Sequence, residues 1–307
     1  KQRYADFVVD APRRRLLTVR EDHSKGGHYP ENTIAAIAFD GSETVLVDGN
    51  DFYAAPRLSP DGRQLAWLGW DHPRMPWEGS ELWLADVLED GSLVNGRLVA
   101  GGPNESICQP EWSPGGVLHF VSDRSGWWNL YRYDHGVVHP LCPKEAEFGG
   151  PQWNFGGSLY GFRSEDDIIC AYVEGGVSKL ARLRGGVLTD VPTPYEEIRE
   201  LRVNAHTVAL LGGAPTLALE LARIDLDAGT HEVLARSISQ LPPGGYLSVP
   251  QSISYPSANG RTAYAFHYPP TNADFAPQDG VLPPLIVIGH GGPTGMAGST
   301  LKPAAQV

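Results

Sequence analysis

A unit of about four short strands recurs along this chain, and such a repeat restricts the fold more tightly than any single residue does. At Pro56 the sequence runs "PRLSPDGRQLAWLGW", at Pro110 "PEWSPGGVLHFVSDRSG" and at Pro151 "PQWNFGGSLYGFRSED", with starts 54 and 41 residues apart. Each copy has a Pro, an apolar residue, a turn and then an alternating strand. Each continues through a loop into a further strand, "SELWLADV" from Ser80, "WWNLYRYD" from Trp127 and "VSKLARLRGG" from Val177, and then into a last one such as "RLVAGG" or "VVHPLC". Runs of this length with period-two alternation, bounded by Gly, Pro, Asn and Asp, predict antiparallel meanders. Four-stranded meanders repeated in series are the blades of a β-propeller.

Two weaker copies flank these. "YADFVVDAPRRRLLTVRED" with "NTIAAIAFDGSETVLV" predicts one blade up to about residue 48, and "IRELRVNAHTVALLGGA" with "ALELARIDLDAGTHEVLA" another up to about residue 236. About five blades are therefore visible in an all-β fold. Stacking their apolar faces leaves few free sheet edges. The turn at Ser59–Gly62 needs Gly for positive φ and Pro for its preset φ. Trp67, Trp83, Trp112 and Trp153 are expected to pack between blades.

Composition narrows the function classes. The chain has 307 residues, long enough for a well-buried core, and its 36 Gly and 26 Pro suit many short strands joined by turns. A net charge of -12 without a Lys/Arg stripe argues against nucleic acid, since the richest basic run is the turn-like Arg13–Arg15. Cys108, Cys142 and Cys170 are odd in number and form no C-x-x-C, so neither a disulfide framework nor a zinc site is expected, and a reducing cytoplasm fits. No H-E-x-x-H stands among the ten histidines, and His23 and His28 lie five apart in a loop, so no metal and no cofactor is expected. No run approaches the roughly 20 apolar residues of a membrane span, and the opening "KQRYADFVVD" has no signal-peptide core. That opening already has the pattern of a strand, so the chain is expected to start within a fold.

After Arg236 the pattern changes. "SISQLPPGGYLSVP" has the Pro/Gly content of a linker, "QSISYPSANGRTAYAFHYPP" predicts two strands about a turn at Asn259–Gly260, and "NADFAPQDGVLPP" is a polar loop. Leu285–Ile288 is a continuous aliphatic run between Pro283–Pro284 and Gly289, as expected of a parallel strand buried on both faces. His290-Gly291-Gly292-Pro293 then places two residues without side chains past the strand end. Backbone N–H groups there can approach a substrate oxygen, the layout of an oxyanion hole. A plain flexible glycine loop is the alternative. The expected organisation is a β-propeller over residues 1–240 and, over 241–307, a linker and the first strands of an α/β-hydrolase domain.

In that order, "PRLSPDGRQLAWLGWDHPRMPWEGSELW", "SDRSGWWNLYR", "EAEFGGPQW", "SYPSANGRTAYAFHYPPTN" and "GHGGPTG" resemble the prolyl oligopeptidase family of serine peptidases, in particular its acylaminoacyl-peptidase or dipeptidyl-aminopeptidase-like branch. The resemblance covers most of the chain. It implies a propeller capping an α/β-hydrolase domain, and cleavage of short peptides or acyl-amide bonds by a Ser nucleophile, a His base and an Asp orienter. It also implies that the Gly291 and Gly292 backbone helps hold the tetrahedral oxyanion. Two features depart from the family pattern. It has about seven blades where five are visible here. No G-x-S-x-G occurs, since Ser158 has Gly156 before it but Tyr160 after it, and Ser24 and Ser113 lack the preceding Gly. The triad is thus expected outside this chain, and the chain alone is expected to be inactive.

Further candidates are few. Trp127 and Trp128 are adjacent, so if one packs in a core the other can face a cavity and stack on substrate. Glu196 and Glu197, or Glu145 and Glu147, could hold a peptide amino group, although an acidic pair at a strand start is ordinarily a solvated edge. Two functions follow. One is the substrate-gating propeller portion of a cytoplasmic serine peptidase, with a short peptide or acyl-amide as substrate, the missing hydrolase domain as partner, and neither nucleic acid nor membrane. The other is a stand-alone propeller serving as a binding or scaffold module.

Overall fold

The computed structural model describes residues 1–24, 26, 29–292 and 294–306. Strands β1 (Gln2–Asp10), β2 (Arg15–Asp22), β3 (Glu31–Ala38) and β4 (Glu43–Val47) form the first sheet in chain order. The second is β5 (Phe52–Leu58), β6 (Gln64–Trp70), β7 (Glu81–Val87) and β8 (Leu93–Gly101), and the third β9 (Ile107–Trp112), β10 (Leu118–Ser122), β11 (Asn129–Asp134) and β12 (Val137–Pro140). The fourth is β13 (Tyr160–Ser164), β14 (Asp167–Glu174), β15 (Val177–Arg184) and β16 (Val187–Asp190), and the fifth β17 (Glu197–Val203), β18 (Thr207–Ala214), β19 (Leu217–Asp225) and β20 (His231–Arg236). These five meanders are the blades expected from the repeat, and the fold is an all-β propeller fragment.

Period-two alternation places each sheet's core. In β6, Leu65 and Trp67 point to one side and join Leu17, Val19, Ile34 and Ala36 of the first sheet with Tyr53, Ala85 and Val87. Ala66 and Leu68 point to the other and join Ile107, Leu118, Phe120 and Tyr131 of the third sheet. Blade two is thus apolar on both faces because both are covered. Trp67 and Trp83 stack 6.5 Å apart within the first of these clusters. The predicted turn forms, with Gly62 at φ 70 and its N–H donating to Ser59 O at 2.8 Å. The Ser59 hydroxyl also accepts from Gln64 N at 2.9 Å. Ser113 closes the matching turn of blade three, accepting from Gly116 N at 3.0 Å through its carbonyl and from Val117 N at 3.0 Å through its hydroxyl.

A second repeated device was not visible in the sequence. The first strands of blades one, two, three and five each break register at a β-bulge, and each bulge opens with a non-glycine residue at positive φ: Asp6, Ala55, Gln109 and Glu200. Such a conformation costs roughly 1 kcal/mol. Pro56 and Pro110 occupy the next bulge position, where a missing N–H leaves no ladder bond unmade. That is why proline marked these repeats. Hydrogen bonds to the neighbouring blade offset the strain. Asp6 accepts from Ala55 N at 2.7 Å and from Arg57 Nη1 at 3.1 Å, and Arg57 Nε donates to Glu111 at 3.2 Å. The Gln109 amide accepts from Leu159 N at 2.7 Å and donates to Tyr160 O at 2.8 Å. Pro151 differs, because it lies in the connection 141–159, and the first strand of blade four begins only at Tyr160.

By backbone contacts the chain divides into two compact units, residues 1–168 with 183–188, and residues 169–182 with 189–307. In the second unit, β21 (Gln251–Pro256) and β22 (Thr262–His267) form the expected hairpin, with Asn259 at φ 59 and Gly260 at φ 70 in its turn. The aliphatic run Leu285–Ile288 departs from expectation. It forms no strand and stands 73–84% exposed. A parallel strand exists only through its neighbours, and none of the described residues pairs with this run. Four residues, Pro303–Gln306, form a last helical turn.

Candidate functional site

Alternate connections of a meander return to one end of its sheet. For blades two and three these are residues 71–80, 102–106, 123–128 and 141–159, and they hold one another. Ser106 Oγ donates to Pro76 O at 2.5 Å and Ser106 N to Asp123 at 2.7 Å. The Trp77 and Trp153 rings meet at a 40° tilt with centroids 4.3 Å apart. Trp153 is therefore no inter-blade residue: it is 61% exposed, and its partner is a loop indole. Trp127 and Trp128 belong to this end as well, and both precede the strand predicted to start at Trp127, since β11 begins at Asn129. Trp127 is 38% exposed. Trp128 is half-buried, and its N–H donates to Glu147 Oε2 at 2.8 Å instead of to a ladder carbonyl.

Two carboxyls beneath these indoles are perturbed. Burial pushes Glu147 above the ordinary value, against the lowering effect of its bond from Trp128 N, and the Asp123 charge adds to the rise. Burial likewise raises Asp123, with Glu105 adding to it, while the Ser106 N–H opposes. Glu105 itself is paired with Arg124 at 2.7 Å and accepts from Ser122 Oγ at 2.7 Å. Sequence reasoning missed Asp123 and Trp77. The only signal for either was its place in a loop next to a tryptophan-rich stretch. Glu145 is exposed.

Gly291 and Gly292 follow the exposed aliphatic run. Both are exposed, a Cβ on either would meet nothing within 4 Å, and Gly292 adopts φ 73. No hydrogen bond from their N–H groups is found among the described residues. The loop closes at Gly295, where a Cβ would fall 2.6 Å from Gly291 O and 2.7 Å from His290 Nδ1. His28 and Pro293 lie outside the described residues. Glu196 and Glu197 are not open carboxylates, for they accept hydrogen bonds from Ser299 and Thr300.

All three cysteines are buried, and none is in a disulfide. Burial pushes the Cys108 thiol up to about 12 and Cys142 up to about 11, which leaves neither a thiolate nucleophile near neutral pH. His135 and His139 are four residues apart, but they sit on the turn and outer strand of one hairpin, not on a helix face. Among the described residues no group of three or more His, Cys, Asp or Glu is placed to hold a metal ion, and no helix is long and apolar enough to cross a membrane.

Four-stranded blades followed by a hairpin and a glycine loop define a β-propeller fragment with a tail that is not part of any blade. No protein-family model and no curated protein matches the chain. Solved structures do. Puromycin hydrolase is 36% identical with a TM-score of 0.89 over 98% of this chain. A Mycobacterium tuberculosis puromycin-hydrolyzing peptidase is 35% identical with a TM-score of 0.90, again over 98%. Prolyl oligopeptidase B of Galerina marginata, bound to a 35mer substrate, has a TM-score of 0.68 at 14% identity over 86% of this chain, a likeness of fold alone. The chain spans 47–48% of the two puromycin-hydrolysing proteins and 38% of the Galerina one. Its solved neighbours are puromycin-hydrolysing proteins and prolyl oligopeptidases, and what it matches of them is the propeller part.

Proposed function

We propose that this chain is the substrate-gating propeller portion of a serine peptidase that hydrolyses short peptides or acyl-amide bonds by Ser-His-Asp acyl transfer in the cytoplasm, with the triad outside residues 1–307. Residues 1–240 are the propeller, and residues 241–307 are a linker and the first part of an α/β-hydrolase domain. The observation carrying this is the likeness, at 35–36% identity over 98% of the chain, to two proteins named for puromycin hydrolysis. The local chemistry supports it. Leu285–Ile288 has the apolarity of an inner parallel strand and pairs with no strand among the described residues, and the N–H groups of Gly291 and Gly292, which bond to no described residue, are donors of the kind that stabilise an acyl-transfer oxyanion. Trp127 and Trp128, and the Trp77–Trp153 pair in the loops at the same end, offer aromatic faces to a substrate entering there.

The test uses puromycin and an aminoacyl arylamide as substrates. A longer protein consisting of this chain continued through a complete hydrolase domain should cleave at least one, and a Ser→Ala change in its nucleophile elbow should lower kcat by about 10⁴-fold or more. The 307-residue chain alone should take no label from a serine-directed phosphonate. Activity that survives the Ser→Ala change, or labelling of the short chain, contradicts the proposal.

A further inference from the structure

Among the described residues of 281–306, burial against a blade is confined to Ser299–Leu301, just past the glycine loop, and to Gln306. Ser299, Thr300 and Leu301 are 1%, 7% and 6% exposed, while Leu285, ahead of the loop, is 80% exposed. Their partners are specific. Leu301 N donates to Ala214 O at 2.9 Å at the end of β18, and the Leu301 side chain packs with Ala218 and Leu247. Thr300 Oγ1 donates to Glu197 Oε2 at 2.5 Å, and Ser299 Oγ makes a longer 3.3 Å bond to Glu196 Oε2. Arg199 holds the other Glu197 oxygen. Gln306 completes the anchor, its Nε2 donating to Pro215 O at 2.8 Å and to Ser248 O at 2.7 Å while its Oε1 accepts from Lys302 N at 2.7 Å.

Two glycines allow this approach. A Cβ on Gly213, which pairs with Glu197 across β17 and β18, would fall 2.5 Å from Thr300 Cγ2. A Cβ on Gly298 would collide with the Glu197 carboxylate. The surfaces are therefore shaped for each other. Both Glu197 oxygens are occupied, so the pair is poorly placed to receive a peptide amino group.

We propose that Glu196 and Glu197 are positioning residues, which dock Gly298–Leu301 on blade five and thereby fix the His290–Gly292 loop six residues upstream. The proposal rests on the reading of that loop as an oxyanion hole. Six residues span at most about 20 Å, so a docked anchor confines the loop, whereas a free one would let it wander. An oxyanion hole works only when its donors are held where charge develops, and loss of the dock therefore acts on kcat rather than on KM.

Two variants separate the dock from the blade. Thr300→Val removes the hydroxyl at nearly constant shape, and Gly213→Ala fills the contact without touching a carboxylate. In the 307-residue chain both should speed hydrogen exchange of the Leu301 amide by about tenfold or more, with amides of β6 unchanged, and Thr300→Ser should restore protection. In the longer enzyme the same two variants should lower kcat about tenfold at unchanged KM, again with rescue by Thr300→Ser. Unaltered exchange overturns the dock. Faster exchange with unaltered kcat overturns the positioning role and leaves the oxyanion reading standing. If the unmutated longer protein is inactive, the functional reading itself fails and the positioning role falls with it, while the exchange measurement still decides the dock.

Discussion

The aliphatic side chains of blade two and those of the segment 281–296 meet opposite fates. Leu65, Leu68, Leu82 and Leu84 are at most 1% exposed, while Leu282, Leu285, Ile286 and Val287 are 80–90% exposed. Propensity does not separate them, for both are runs a sheet would accept. Coverage does. Blade two has a sheet packed on each face, whereas the later run has no neighbour among the described residues. Burying one such side chain contributes about 1.5–3 kcal/mol, a gain that blade two makes and the exposed run forgoes.

The largest effect should come from cutting into the covered side. Leu68→Ala should destabilise the chain by about 3 kcal/mol through lost burial and a residual cavity, while Ile286→Ala should change nothing measurable in urea unfolding. Equal effects at both positions would remove the contrast. A smaller loss should follow Arg57→Met, which leaves Asp6 and Glu111 without their shared cation: about 2 kcal/mol in the same assay, less than for a fully buried pair because Glu111 is partly solvated. A loss under about 0.5 kcal/mol would mean that the bulged first strands do not tie blades one to three together.

The smallest effect concerns the loop end. Because the folded state raises the pKa of Glu147, it binds that proton more tightly than the unfolded chain. The group's contribution to stability is then greatest in acid and falls as pH rises through its ordinary value, 4.5, toward the raised one. Glu147→Gln keeps an acceptor for Trp128 N–H and removes this loss. The variant should gain on the natural chain as pH rises from about 4.5, and a difference that stays constant through that rise would exclude a perturbed carboxyl at this position.

Much of the fold was legible because its determinants are local. Ser59–Gly62 and Asn259–Gly260 announce their turns through residue type, and period-two runs such as Leu65–Leu68 announce strands. The site was legible only as a list of residues. Trp112 and Trp153 occupy similar motifs, yet Trp112 is tucked against blade two with its indole N–H donating to Arg57 O at 2.9 Å, and Trp153 stands outside on Trp77. Nothing near either residue in the chain distinguishes them. Proline at 56 and 110 signalled a repeat without revealing the bulge that makes proline tolerable there.

The order of residues by itself indicated about five blades within this chain, their turns, the hairpin and the glycine loop, since strand periodicity and positive-φ turns depend on neighbours a few places away. Tertiary structure alone decided which tryptophans face solvent, which carboxylates are already engaged, and that Ser299 and Thr300 reach back across about 100 residues to Glu196 and Glu197. Burial and hydrogen-bond partnership are properties of pairs of surfaces, and a linear pattern specifies only one surface of each pair.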